Sequence, residues 1–182
     1  MSNLKKHVMI DIETMSTKQG TAIVSIGAVV FEPSKGVLIG NDFYMELDWE
    51  NQGRLIDEST LDWWSSQHRE VQDAMYGIDS LECGLSELNK WFPSHSTLWS
   101  KGPHFDIAIL ENAYDGFDDL KAPWDFWGIR DYRTIEDLYG YGGFKPVNDA
   151  NPNKHNALED AKVQARDICI MWSRMTKLIA RG

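Results

Sequence analysis

A single α/β domain built on a mixed sheet is what this sequence predicts, and three observations predict it. Three β-rich runs come first in the chain, helical periodicities then alternate with short β-rich runs, and no repeat, low-complexity linker or composition break divides the 182 residues. That length suits one domain with a sizeable core.

The elements follow in order. His7-Val8-Met9-Ile10 has the aliphatic, β-branched character of a buried strand, yet it runs into Asp11 and Glu13 with only Ile12 between them. Residues two apart on a strand share a face, so the spacing sets two carboxylates side by side. They repel, and a cation or a proton between them relieves the repulsion. After the polar turn Met15 to Gly20, the run Ala22 to Phe31 predicts a second strand, Pro33-Ser34-Lys35-Gly36 a hairpin turn, and Val37 to Leu47 a third strand. These three form an antiparallel meander with the acid pair on its first strand.

Ser59 and Thr60 offer N-caps for a short helix through Trp63 and Trp64. Leu81, Leu85, Leu88 and Trp91 or Phe92 recur at helical spacing behind Ser80, and Pro93 stops that helix. A short strand, Thr97 to Ser100, ends at Lys101-Gly102-Pro103, and a helix from His104 to Tyr114 carries Asp106 in its first turn. The aromatic-rich stretch Lys121 to Trp127 reads as a connection, and Arg130 to Thr134 leads into a short helix around Ile135 to Tyr139. Tyr141 to Asn153 reads as a loop. Ala161, Ala165, Ile168, Trp172, Met175 and Ile179 give the last helix one apolar face.

His155 and Asp160 flank the start of that helix. Were both helical, they would lie ~140° apart, so they converge only with His155 off the helix. Asn156 followed by Glu159 has the spacing of a capping box, which starts the helix at Ala157 and leaves His155 on the incoming loop.

Composition bounds the function. Hydrophobic residues are 42% and charged residues 25%, the balance of a soluble globular protein. Cys83 and Cys169 have neither disulfide-framework nor zinc spacing, no 18-residue apolar run occurs, and no apolar region follows Lys5-Lys6. The expectation is a cytoplasmic protein without a membrane segment. A net charge of −10 argues against tight, non-specific nucleic-acid binding through a broad basic surface. It weighs less against catalysis, because carboxylates committed to divalent ions carry positive charge to where a phosphate lies.

The three motifs in order, D-x-E at Asp11 and Glu13, F-D at Phe105 and Asp106, and H-x4-D at His155 and Asp160, resemble the signature of the DEDDh branch of the DnaQ-like 3'-to-5' exonucleases. The I-D-I-E-T opening, W-x-x-G-x-x-F-D from Trp99 to Asp106 and H-N-A-L-E-D-A are most similar to a subfamily of phage exodeoxyribonucleases and mycobacterial exoribonucleases. Each motif is weak alone; together they span nearly the whole chain. Two positions depart from the pattern: Ser16 stands where many relatives have Gly, and Gly102 where many have Asn. Both lie near where relatives seat the terminal nucleotide.

The resemblance implies a ribonuclease H-like mixed sheet flanked by helices and hydrolysis from the 3' end of RNA or single-stranded DNA to nucleoside 5'-monophosphates, with a slight lean to RNA. It implies two Mg²⁺ or Mn²⁺ ions, hard cations suited to carboxylate oxygens. Asp11 would bridge both, Glu13 and Asp160 complete one shell, and Asp106 serve the other. His155 would take the proton from the attacking water, a task suited to imidazole. Thr14 and Met15 correspond to positions that meet the terminal sugar in relatives. Phe105, directly before Asp106, is a further substrate-binding candidate. Trp63 and Trp64 either stack a base or serve as core, the spacing from Leu61 favouring core for Trp64. Lys101, Arg130 and Arg133 either contact phosphate or pair on the surface. Several such relatives are dimers and eight Trp is a high count, so a homodimer is expected. Two rival readings are a non-catalytic nucleic-acid or nucleotide-binding module on the same fold and a phosphatase or nucleotidase.

Overall fold

The computed structural model describes residues 6–144 and 155–179. Five strands form one sheet in the order β3-β2-β1-β4-β5, comprising β1 (His7–Thr14), β2 (Ile23–Glu32), β3 (Val37–Glu46), β4 (Thr97–Ser100) and β5 (Ile129–Asp131). The first three pair antiparallel as the expected meander, while β1, β4 and β5 pair in parallel. The sheet is therefore mixed, and its centre is the strand that carries the acid pair.

The helices are α1 (Glu58–Ser65), α2 (Arg69–Gln72), α3 (Leu81–Trp91), α4 (Asp106–Tyr114), α5 (Tyr132–Tyr141) and α6 (Ala157–Ile179). They cover both faces, and strand alternation decides which residue meets which layer. Val8, Ile10 and Ile12 of β1 join Leu81, Leu85 and Leu88 of α3 and Ile107, Leu110 and Ala113 of α4 in one core. Met9, pointing the other way, joins Val29 and Phe31 of β2, Tyr132 and Tyr139 of α5, and Ala161, Ala165 and Ile168 of α6. A third cluster beside the end of β1 gathers Met15, Ala22, Val24, Trp49, Trp64 and Ala74.

Several elements depart from the sequence reading for local reasons. Asp57, not Ser59 or Thr60, caps α1, its side chain accepting from the Ser59 N–H. Asp131 caps α5 by accepting from the N–H groups of Arg133 and Thr134, so that helix begins at Tyr132 rather than near Ile135. Strand β5, three residues long, and the polar turn α2 went unanticipated because neither is long enough to show a period. Of the expected 141–153 loop, Tyr141 closes α5 and residues 145–153 lie outside the described residues.

The start of α6 lies directly on β2. A Cβ added to Gly27 would come within 2.2 Å of Ala157 C and Leu158 N, so only hydrogen at that position admits the helix. Gly27 is paired with Asp11 across the β1–β2 ladder. The same contact that seats the helix thus sets the height of Asp160 relative to Asp11. Gly27→Ala is expected to lower stability by about 1–3 kcal/mol, the range for overpacking, whereas Gly20→Ala, with nothing within 4 Å of the added carbon, serves as control. Urea denaturation of both variants checks this; equal midpoints would show the helix start is free to move.

Candidate active site

Three elements converge on the end of β1, α6 from one face of the sheet and α4 from the other. Strand β1 projects Asp11 and Glu13 toward the α6 layer, the face Met9 also occupies. Helix α6 brings Asp160 from its first turn, and α4 brings Asp106 as its first residue. Asp11, Glu13 and Asp160 each place a carboxylate oxygen within 4.8 Å of the others, a group able to hold a metal ion. Asp106 stands behind this trio, 4% exposed, with Oδ1 accepting from the Ile12 N–H at 3.4 Å. Ile12 lies between the two strand acids, so Asp106 is tied to the backbone that presents them.

Crowding these groups perturbs their protonation. Protein closes around Asp11 although it keeps partial exposure, and this burial, then the charges of Asp106 and Glu13, raise its carboxyl well above the ordinary range. Burial, then Asp160 and Asp106, push Glu13 from an ordinary 4.5 up to about 8. Asp106 rises from 3.8 to about 6, again through burial, with the Ile12 N–H and the Arg133 charge pulling the other way. Without a cation, Glu13 keeps its proton near neutral pH.

His155 sits on the loop before α6, as its spacing from Asp160 predicts. Its backbone has φ 68°, and its N–H donates to Asp160 Oδ2 at 3.0 Å. The expected capping box is half formed. Asn156 Oδ1 accepts from the Glu159 N–H at 3.1 Å, but Glu159 accepts from Lys162 Nζ instead of reaching back. Asp160, not Glu159, takes the neighbouring backbone N–H, which joins the histidine loop to a member of the acid cluster. The His155 ring meets Trp63 edge-on, with centroids 4.8 Å apart, and Trp63 remains 39% exposed. Sequence reading left Trp63 open between core and site; the fold places it beside His155.

Two candidates for substrate contact are corrected. Trp64 is fully buried and its indole N–H donates to the Thr14 carbonyl at 3.1 Å, so no ring face is open to a base. Met15 is fully buried in the same cluster, its N–H donating to Ala22 O and its carbonyl accepting from the Asp57 N–H, so neither its side chain nor its backbone is open to a sugar. Thr14 is nearly buried, its hydroxyl donating to Ser16 O at 2.7 Å. Phe105 precedes α4 and packs partly against the core. Lys101 Nζ lies over the Tyr132 ring, 4.8 Å from its centroid. The Arg133 guanidinium fills the space a side chain at Gly102 would enter, and its charge acts on Asp106. Arg130 donates to the carbonyls of Trp127 and Ile129. The imidazole of His7 accepts the Trp99 indole N–H at 2.9 Å, a packing role.

Gln164 was missed. It lies one turn beyond Asp160 on α6, is 8% exposed, and its Nε2 donates to Asp11 Oδ1 at 2.8 Å. The i, i+4 spacing from Asp160 is the signal that points to it.

The chain and its fold are similar to those of known exonucleases. A phage T4 exodeoxyribonuclease is 27% identical, the match covering 69% of this chain and 68% of that protein. Among solved structures, an E. coli exonuclease I–single-stranded DNA complex in its zinc-bound form superposes with a TM-score of 0.72 at 12% identity over 98% of this chain, which spans 43% of that one. The nuclease domain of 3'hExo, a DEDDh family member bound to rAMP, gives 0.64 at 16% identity over 95% of this chain and 94% of its own length. These structures share the fold. Residues 6–172 match the 3'-5' exoribonuclease Rv2179c-like domain, and the chain belongs to that family.

Proposed function

We propose that this chain is a divalent-metal-dependent 3'-to-5' exonuclease that hydrolyses RNA or single-stranded DNA to nucleoside 5'-monophosphates. The observation that carries the reading is the trio Asp11, Glu13 and Asp160 within 4.8 Å, backed by Asp106 and faced by the His155 loop. An all-oxygen, acidic donor set whose members repel one another fits Mg²⁺ or Mn²⁺. Two such ions, when bound, supply the positive charge that offsets the phosphodiester and its leaving oxygen. The chain's own residues do the rest. The imidazole of His155, on a loop tied to Asp160 by its backbone N–H and in contact with Trp63, accepts the proton of the attacking water. The exposed part of the Trp63 ring stacks a base near the 3' end. Arg133 and Lys101 meet phosphates, with Thr14 and Phe105 shaping the floor beneath the terminal nucleotide.

A binding module on the same fold fits less well, because a carboxylate cluster without metal repels phosphate. The exoribonuclease family match supports a lean to RNA, while the phage exodeoxyribonuclease supports DNA as the alternative. We further propose that the whole chain acts as one domain in the cytoplasm, where its two free thiols stay reduced. Among the described residues no helix is long and apolar enough to cross a membrane. We also propose a homodimer. Five of the eight Trp are largely taken up inside, and the support narrows to exposed aromatics such as the Phe126–Trp127 pair, 76% and 62% exposed. A monomer mass in light scattering at micromolar concentration would refute it.

Matched end-labelled RNA and DNA oligonucleotides, each with Mn²⁺ or EDTA, test the activity. The expected result is stepwise loss of 5'-mononucleotides from the 3' end, abolished by EDTA and faster on RNA; metal-independent binding without release would favour the module. His155→Ala should lower turnover about 10²- to 10⁴-fold while metal and oligonucleotide still bind, whereas Asp11→Ala should lose metal as well. Wild-type turnover in His155→Ala would remove the histidine from the mechanism.

Protonation gives an independent test. Glu13 and Asp106 have raised carboxyl pKa values in the fold, so the native state binds more protons than the unfolded chain. The metal-free protein should therefore lose stability as pH rises from about 4 to about 8. Mn²⁺ replaces those protons, so its stabilisation should grow over the same window. Thermal unfolding in EDTA and in Mn²⁺ across that range reads both trends, and a metal shift independent of pH would contradict the assignment.

A further inference from the structure

We infer that Gln164 is a positioning residue for Asp11, fixing which carboxylate oxygen is left to the metal site. The inference rests on the metal reading proposed above. Gln164 is 8% exposed and places Nε2 2.8 Å from Asp11 Oδ1. Among the described residues, its other polar atom, Oε1, is buried with no hydrogen-bond partner.

That imbalance is informative. A buried amide oxygen without a donor is costly, and side chains turn to avoid it. Turning this amide over would set oxygen against the ionised Asp11 carboxylate that a metal ion requires, acceptor against acceptor. The amide is oriented by what Asp11 needs rather than by its own satisfaction.

Chemistry explains why an amide suits the place. Asp11 is crowded by Asp106, Glu13 and Asp160, and the Gln164 hydrogen bond favours its ionised form. A lysine or arginine would supply the same stabilisation but would bring a full positive charge to a site meant for cations. A neutral donor holds one oxygen and leaves the other to the metal site. Gln164 and Asp160 are one helical turn apart, so α6 presents a ligand and the support for a second ligand from a single face. The two acids are thereby held in mutual register by one rigid element, although they come from opposite ends of the chain.

The test is calorimetric titration of Mn²⁺ into metal-free wild-type, Gln164→Leu and Gln164→Met proteins, with thermal unfolding in EDTA alongside. Methionine keeps the length of glutamine and carries the comparison should the leucine variant not fold. Both variants should melt near wild type in EDTA and bind Mn²⁺ about 10- to 100-fold more weakly, the range for loss of a group supporting a ligand. Turnover at limiting Mn²⁺ should fall, recover toward wild type as Mn²⁺ is raised, and leave KM for the oligonucleotide unchanged. Wild-type Mn²⁺ affinity in a folded variant would overturn the positioning role alone. A wild-type protein that takes up no Mn²⁺ would overturn the metal reading and this inference with it.

Discussion

Repulsion among four carboxylates is the constraint to which the rest of the structure answers. Left in water, Asp11, Glu13, Asp106 and Asp160 would separate; here backbone hydrogen bonds and close packing hold them together. Asp106 is fixed by the Ile12 N–H and Asp160 by the His155 N–H, while Asp11 is fixed by the Gln164 amide. Each restraint comes from a neutral donor. None of these donors brings a positive charge to the acids, which suits a cation-binding function better than a network of salt bridges would.

Distribution of charge resolves the tension between an acidic chain and a nucleic-acid substrate. A surface of net charge −10 gives little general attraction for phosphate. The cations that bear on the proposed substrate path are few and local: Arg133 beside Asp106, and Lys101 against Tyr132.

Much of this was legible in the sequence, for physical reasons that can be named. The meander was readable because β-branched runs were long and separated by polar turns, and α6 because its apolar face repeats over six turns. Strand periodicity put Asp11 and Glu13 on one face, whereas Asp106 and Asp160 joined them only through the resemblance of the three motifs to a known family. Strand β5 left no trace because three residues cannot display a period. Helix starts at Asp57 and Asp131 were missed because several nearby residues could cap equally well, and only packing chooses among them. Met15 and Trp64 illustrate a deeper limit. Resemblance to a sugar-contacting position in relatives suggested that Met15 meets substrate, yet the β1–β2 register shifts between Glu13 and Thr14, and Met15 lies in the third core cluster with Trp64. A shift in strand register is invisible to residue spacing.

The seat of α6 on Gly27 has a mechanical consequence. The contact falls at Ala157 and Leu158, two to three residues from Asp160, while the helix runs on to Ile179. At about 1.5 Å per residue, Asp160 lies only ~4 Å from this fulcrum and the far end ~30 Å from it. A rocking motion of a few degrees would swing the far end by roughly 2 Å yet shift Asp160 by a few tenths of an ångström, within the tolerance of a working site. With Ala161, Ala165 and Ile168 also packed against the sheet, the short arm keeps the acids in place.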